Sequence, residues 1–177
     1  MNNKFSIRRE IIGFGRPDIG NNEIRAVKKV IESKWIGSGP VTEKFEKMFK
    51  KYKKSKIALS VNSCTAAMHL ALLSLNIGRG DEVITTPMTF CSTINSILLV
   101  GAKPVLVDIN LDTLNIDEKK IEKKITKKTK AIILVHFGGL PCNLKPILKI
   151  LKKYNIKIIS SGGTYKEIKK LKFNCLE

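Results

Sequence analysis

From residue 57 onward, short apolar runs alternate with helical stretches, and this alternation constrains the fold more than any other feature. Ile57-Ala58-Leu59-Ser60-Val61 reads as a short buried strand, and Cys64 to Leu75 as a helix. Glu82 to Thr86, Pro104 to Asp108, Ala131 to Val135 and Ile156 to Ser160 read as four more strands. The helices between them are Ser92 to Val100, Asp117 to Ile125 and Asn143 to Lys153, with a last one near Lys166 to Lys170. Strands alternating with helices predict an α/β fold, a three-layer sandwich in which helices cover both faces of a mostly parallel sheet. Ligands of such sheets sit beyond the carboxyl ends of the strands. Function is therefore sought in the loops Asn62–Thr65, Pro87–Phe90, Asp108–Leu111, His136–Pro141 and Ser161–Thr164.

The first 56 residues follow another rhythm. Gly13, Gly15, Pro17 and Gly20 break any period up to residue 20. Asn21 or Asn22 is placed to cap a helix running to about Ser33, with Ile24, Val27, Val30 and Ile31 at helical spacing. Trp35 to Pro40 reads as a loop, and Val41 to Tyr52 as a second amphipathic helix with Phe45, Met48 and Phe49 on one face.

Composition excludes several classes. No apolar run reaches the roughly 18 residues of a membrane span, and the N-terminus lacks a signal-peptide core, so a cytoplasmic protein is expected. Cys64, Cys91, Cys142 and Cys175 are far apart and the chain has 2 histidines, which suggests neither a metal site nor a disulfide scaffold. The net charge of +18 would attract a polyanion. Most of it is lysine spread along helices, with no interleaved aromatic platform for bases, so nucleic acid is not the expected partner.

Each candidate residue has a functional and a plainer reading. Asn62-Ser63-Cys64-Thr65-Ala66-Ala67 joins a strand to a helix. Free N–H groups and the helix dipole at such a start make an anion site, and the Thr65 hydroxyl adds a donor. An ordinary Ser/Thr cap with no ligand is the plainer reading. Phe90, after Thr85-Thr86-Pro87-Met88-Thr89, is placed to stack on a flat ring or to fill the core. Asp108 either touches a ligand or caps a turn, the turn being the commoner use. His136, ahead of Phe137-Gly138-Gly139-Leu140-Pro141, either faces a ligand or is a structural hydrogen-bonder, the commoner use of a lone histidine.

Taken together the segments are far more specific. F-G-R-P-D-I-G, W-I-G-S-G-P-V-T-E-K-F-E, N-S-C-T-A-A-M-H-L-A-L, G-D-E-V-I-T-T-P-M-T-F, G-A-K-P-V-L-V-D-I, T-K-A-I-I-L-V-H-F-G-G-L-P-C-N-L and K-K-Y-N-I-K-I-I occur in order from about Phe14 to Ile159. In this the chain resembles the DegT/StrS family of sugar aminotransferases, which use pyridoxal 5′-phosphate (PLP) and have the aspartate-aminotransferase fold (fold type I). The subgroup most similar to it aminates 4-keto nucleotide sugars, of the UDP-4-keto-arabinose type. The resemblance implies a partial large domain over residues 1–159. It implies that Thr65 and Ala66, beside Cys64, hold the cofactor phosphate and that Phe90 stacks on the pyridine ring. His136 would lie near the cofactor, and Gly37 and Ser38 near the substrate. Partners implied are a keto nucleotide sugar, an amino-acid donor such as glutamate, and a second copy of the chain.

The likeness breaks near residue 160. Where the family has E-D-A-A-H, the chain reads Ser160-Ser161-Gly162-Gly163-Thr164, so Ser161 stands where an aspartate would pair with the pyridine nitrogen. The family's lysine motif, S-F-H-x-x-K-N, has no counterpart in the 177 residues, so the chain alone is expected to be inactive. Residues 153–177 instead resemble the early part of IMP cyclohydrolase, which suggests a join near residues 150–160 and a divergent tail over 160–177. A non-catalytic phosphate- or nucleotide-binding α/β fragment is the alternative reading.

Overall fold

The structure is a computed structural model that describes residues 15–156 and 170–172. These fall into two compact units, dividing between Lys47 and Met48.

In the first unit, α1 spans Asn21–Glu32 and α2 begins at Pro40, running to Lys53. Extended Gly20, not an asparagine, caps α1. The Glu23 carboxylate accepts the Gly20 N–H at 2.8 Å, and that bond lowers its pKa. Asn21 and Asn22 lie inside the helix, where Asn22 Oδ1 accepts from Arg25 Nη2 at 2.6 Å. Pro40 suits the first turn of α2, which has no use for its missing N–H.

The second unit carries the sheet. Its elements are α3 (Cys64–Ser74), β1 (Glu82–Thr85), α4 (Cys91–Leu99), β2 (Lys103–Leu106), α5 (Glu118–Ile121), β3 (Thr129–Ile132) and α6 (Leu144–Lys153). A 3₁₀ turn, Glu122–Lys124, extends α5, so the helix expected to reach Ile125 tightens after one turn. The three strands are parallel in the order β2-β1-β3, with Ile84 opposite both Val105 and Ile132.

Central β1 is buried along its whole length, and its side chains alternate between two cores. Val83 packs with Leu72, Ile77, Ile97 and Ala102, from the side of α3 and α4. Ile84 packs with Val107, Ile121, Cys142, Ile147 and Leu148, from the side of α5 and α6. Helices thus cover both faces of a parallel sheet, the expected three layers. At the amino end of β1, the nearly buried Glu82 accepts from Thr126 Oγ1 at 2.6 Å and pairs with Lys103 at 3.7 Å. One carboxylate therefore ties all three strand starts together.

The expected strand at residues 57–61 is absent. Ile57 and Leu59 are 74% and 76% exposed, and the segment forms no ladder. An apolar run becomes a strand only by pairing with a neighbour, and residues 57–61 pair with none of the three described strands. Residues 157–160 of the expected fifth strand lie outside the described residues, as do the Ser161–Thr164 loop and the last helix apart from Lys170.

Candidate functional site

Because β1, β2 and β3 are parallel, the loops after them share one end of the sheet. The helices α3 and α4 each lead by a short connection into the start of a strand, β1 and β2 respectively. Both helices therefore run back against the strands, and their first turns lie at the carboxyl end. Sequence analysis singled out Thr65, Ala66, Phe90 and His136 separately; the topology brings them all to this one edge.

Ser63 is the extended N-cap of α3, and its Oγ accepts the Ala66 N–H at 3.2 Å. The cap is real, and it engages the Ala66 amide that the resemblance gives to a phosphate. Cys64 and Thr65 follow as the first two helical residues, whose amides have no carbonyl within the helix to bond. The Thr65 side chain is half-buried, and Cys64 is exposed. Small residues at 64 to 67 leave room for an anion at the positive end of the dipole.

Phe90 is the N-cap of α4, and its ring is 78% exposed. That corrects the reading of Phe90 as core: an extended cap residue directs the side chain away from the apolar layer beneath α4. Just before it, Thr85 and Thr86 are buried. Thr85 Oγ1 donates to the Ile133 carbonyl at 3.1 Å, Thr86 Oγ1 accepts the Met88 N–H at 3.3 Å, and the hydroxyls of Thr89 and Thr93 lie 2.8 Å apart. These bonds brace the loop that presents Phe90.

Asp108 serves its turn. Its Oδ1 accepts the Ile109 N–H at 2.9 Å and its carbonyl accepts the Asp117 N–H at 2.9 Å. Lys120, 3.0 Å away, is the main cause that holds the Asp108 carboxyl below the usual carboxylate range, and the pairing raises the lysine in return.

His136 is exposed, and its Nδ1 accepts the Cys142 N–H at 3.1 Å. In the neutral ring the proton therefore sits on Nε2. Cys142 is buried; its thiol donates to the Val135 carbonyl at 3.2 Å, and burial pushes its pKa up. A residue that sequence analysis did not single out holds this loop. Asn115, 4% exposed, accepts the Phe137 N–H at 2.9 Å and donates to the Leu140 carbonyl at 3.0 Å. Nothing local in Thr113-Leu114-Asn115-Ile116 signals that its partners lie more than twenty residues away.

In the first unit, Gly37 and Ser38 occupy the exposed connection between α1 and α2. Trp35 Nε1 donates to the Ser38 carbonyl at 2.8 Å. Among the described residues no group of His, Cys, Asp and Glu is arranged to hold a metal ion, and no helix is long and apolar enough to cross a membrane.

A family model for the DegT/DnrJ/EryC1/StrS aminotransferases matches residues 17–162. The chain belongs to this family. It is 49% identical over 157 residues to the uncharacterized protein MJ1066 of Methanocaldococcus jannaschii, covering 89% of this chain and 41% of that protein. It is 43% identical over 165 residues to the spore coat polysaccharide biosynthesis protein SpsC of Bacillus subtilis, covering 90% and 42%. A solved Streptococcus pneumoniae protein described as a sugar aminotransferase, Spr1654, in its PLP form, superposes with a TM-score of 0.75 at 39% identity, covering 81% of this chain and 36% of that one. The family member therefore spans about two fifths of the length of the curated relatives it matches. The fold is part of the large domain of a PLP-dependent aminotransferase, as expected.

Proposed function

We propose that this chain carries the phosphate- and ring-binding part of a PLP-dependent sugar aminotransferase whose substrate is a keto nucleotide sugar, of the UDP-4-keto-arabinose type, with glutamate as amino donor. The exposed Phe90 ring, at the same sheet edge as the open first turn of α3, is the observation that carries this reading. These residues fit the cofactor. The Cys64 and Thr65 amides and the Thr65 hydroxyl would hold the phosphate, with Ala66 joining once Ser63 releases its amide. Phe90 would lie against the pyridine face, and the Nε2–H of His136 would donate a hydrogen bond on the cofactor side.

Bound PLP supplies an electron sink for breaking bonds at an amine-bearing carbon. The chain's own residues bind and orient it. The capped helix start fixes the phosphate, and the braced Thr85–Phe90 loop fixes the ring plane. Gly37 and Ser38 are assigned to the substrate. No lysine here stands in the family's motif, so the covalent attachment, and with it turnover, lies outside what these residues do. The working enzyme is proposed to be a cytoplasmic homodimer, and the tail over residues 160–177 a join to IMP cyclohydrolase-like sequence.

The test is borohydride reduction of the 177-residue chain mixed with PLP, followed by peptide mapping and a turnover assay with a keto nucleotide sugar and glutamate. Label scattered over surface lysines and no turnover are expected. One stoichiometrically labelled lysine, or measurable amination, would overturn the reading that the attachment lysine is missing from these residues. The second reading, a phosphate-binding fragment without ring recognition, is favoured only if inorganic phosphate competes for α3 while Phe90 makes no difference.

A further inference from the structure

One buried side chain ties together two stretches that are far apart in sequence. Asn115 is 4% exposed, and both ends of its amide are spent on the loop after β3. Its Oδ1 accepts the Phe137 N–H at 2.9 Å, and its Nδ2 donates to the Leu140 carbonyl at 3.0 Å. These groups open and close the 3₁₀ turn Phe137–Gly139. Gly138 and Gly139 within it stand at left-handed φ of 58° and 85°, so the turn has little stiffness of its own. An asparagine clamped across it supplies what the glycines do not.

The backbone that delivers Asn115 is strained. Leu114, just before it, has a φ of 57°, a costly conformation for a bulky side chain. The Leu114 N–H reaches the Asn110 carbonyl at 2.8 Å, and the Asn110 N–H reaches the Asn115 carbonyl at 2.9 Å, closing a tight turn. Ile116 follows at 2% exposure, anchored in the core shared with Ile121 and Ile147. Strain of this kind persists where the surroundings over-determine it, and it clusters at functional sites. Here it aims one amide across at the loop of His136. The His136 carbonyl accepts the Gly139 N–H at 3.1 Å, and its Nδ1 accepts the Cys142 N–H, also at 3.1 Å, from beyond the clamped turn. Ring and amide meet only while the turn keeps its shape. That meeting keeps the proton of the neutral ring on Nε2; a released ring would take either tautomer and could offer an acceptor where a donor is needed.

We propose that Asn115 is a positioning residue, which acts through the clamped turn to hold His136 as the Nε2–H tautomer toward the cofactor. This rests on the assignment of His136 to the cofactor side. The experiment is a double-mutant cycle on the full 177-residue chain, with pyridoxine 5′-phosphate as the probe and calorimetry as the readout. Asn115→Ala should weaken binding about fivefold, the worth of one hydrogen bond, and His136→Ala at least as much. The double variant should bind no more weakly than His136→Ala alone. Heteronuclear NMR of the neutral ring should show one tautomer in the parent and a mixture in Asn115→Ala. Ile97→Ala, a destabilising change in the core on the other face of the sheet, should leave affinity and tautomer as they are. Unchanged affinity or an unchanged tautomer in Asn115→Ala would overturn the proposal and leave the cofactor reading standing. A mixture already present in the parent would do so without any variant. Losses that add in the double variant, or that Ile97→Ala reproduces, would make Asn115 merely structural and also overturn the proposal. A parent that does not bind the probe, or a His136→Ala chain that binds it as tightly, would overturn the assignment of His136 and this inference with it.

Discussion

Asn115 shows how much one side chain settles at the sheet edge. Replacing it with alanine strips two hydrogen bonds from the His136–Cys142 loop and leaves the Phe137 N–H without its acceptor. The expected cost is about 2–3 kcal/mol, read from urea unfolding. Ser63→Ala should cost about 1 kcal/mol by the same method, because only the cap of α3 is lost. Acid and base should act through different groups. Asp108 titrates below its ordinary range because of Lys120, so its contribution is present above the unfolded carboxylate value and fades as pH falls through the folded one. Asp108→Asn should therefore flatten the acid limb slightly, the pair being exposed. Cys142 is shifted up by burial, so stability should decline as pH rises past the unfolded thiol value of about 8.5, and Cys142→Ala should remove that decline. At this scale the sequence was only partly legible. Ser63 reads as a cap from its type and position. Phe90 does not reveal its exposure, because an aromatic after a strand serves core and ligand alike, and Asn115 acts through partners distant in the chain.

Elements were more legible, because period and punctuation act locally. Helices α1, α2, α3, α4 and α6 and strands β1 and β2 form close to the predicted spans, whereas β3 runs over Thr129–Ile132, starting two residues before and ending three residues short of the predicted Ala131–Val135. Their cores follow the period of two in β1 and the helical spacing around it. Ile97 on α4 is fully buried between β1 and α3, and Ile97→Ala should cost about 2–5 kcal/mol in urea unfolding. The run at 57–61 was misread for a physical reason: Ile57-Ala58-Leu59-Ser60-Val61 has strand composition, but pairing depends on an edge that composition cannot show. The Gly20 cap was missed because Asn21 and Asn22 are better capping types, while the Glu23 carboxylate makes Gly20 serve.

Across the whole molecule, apolar surface and charge oppose one another. Ile24, Val27 and Ile31 of α1 and Val41, Phe45 and Met48 of α2 are exposed, whereas the net charge is +18. Added salt should screen the repulsion between copies and drive association, seen as a rising sedimentation coefficient; a chain that stays monomeric at high salt would contradict this. The parallel three-layer fold and the family were legible because motifs spread over some 150 residues agree in order. The shared end was legible too, since loops that follow parallel strands gather at their carboxyl ends; the strand order β2-β1-β3 was not, because alternation alone does not say which strands are neighbours. The most direct measurement of that edge is a titration with pyridoxine 5′-phosphate, which has the ring and phosphate but no aldehyde to react with surface lysines. Saturable binding that weakens in both Thr65→Ala and Phe90→Ala is the result expected if this edge holds the cofactor. Binding indifferent to both substitutions, or no saturable binding, would contradict it.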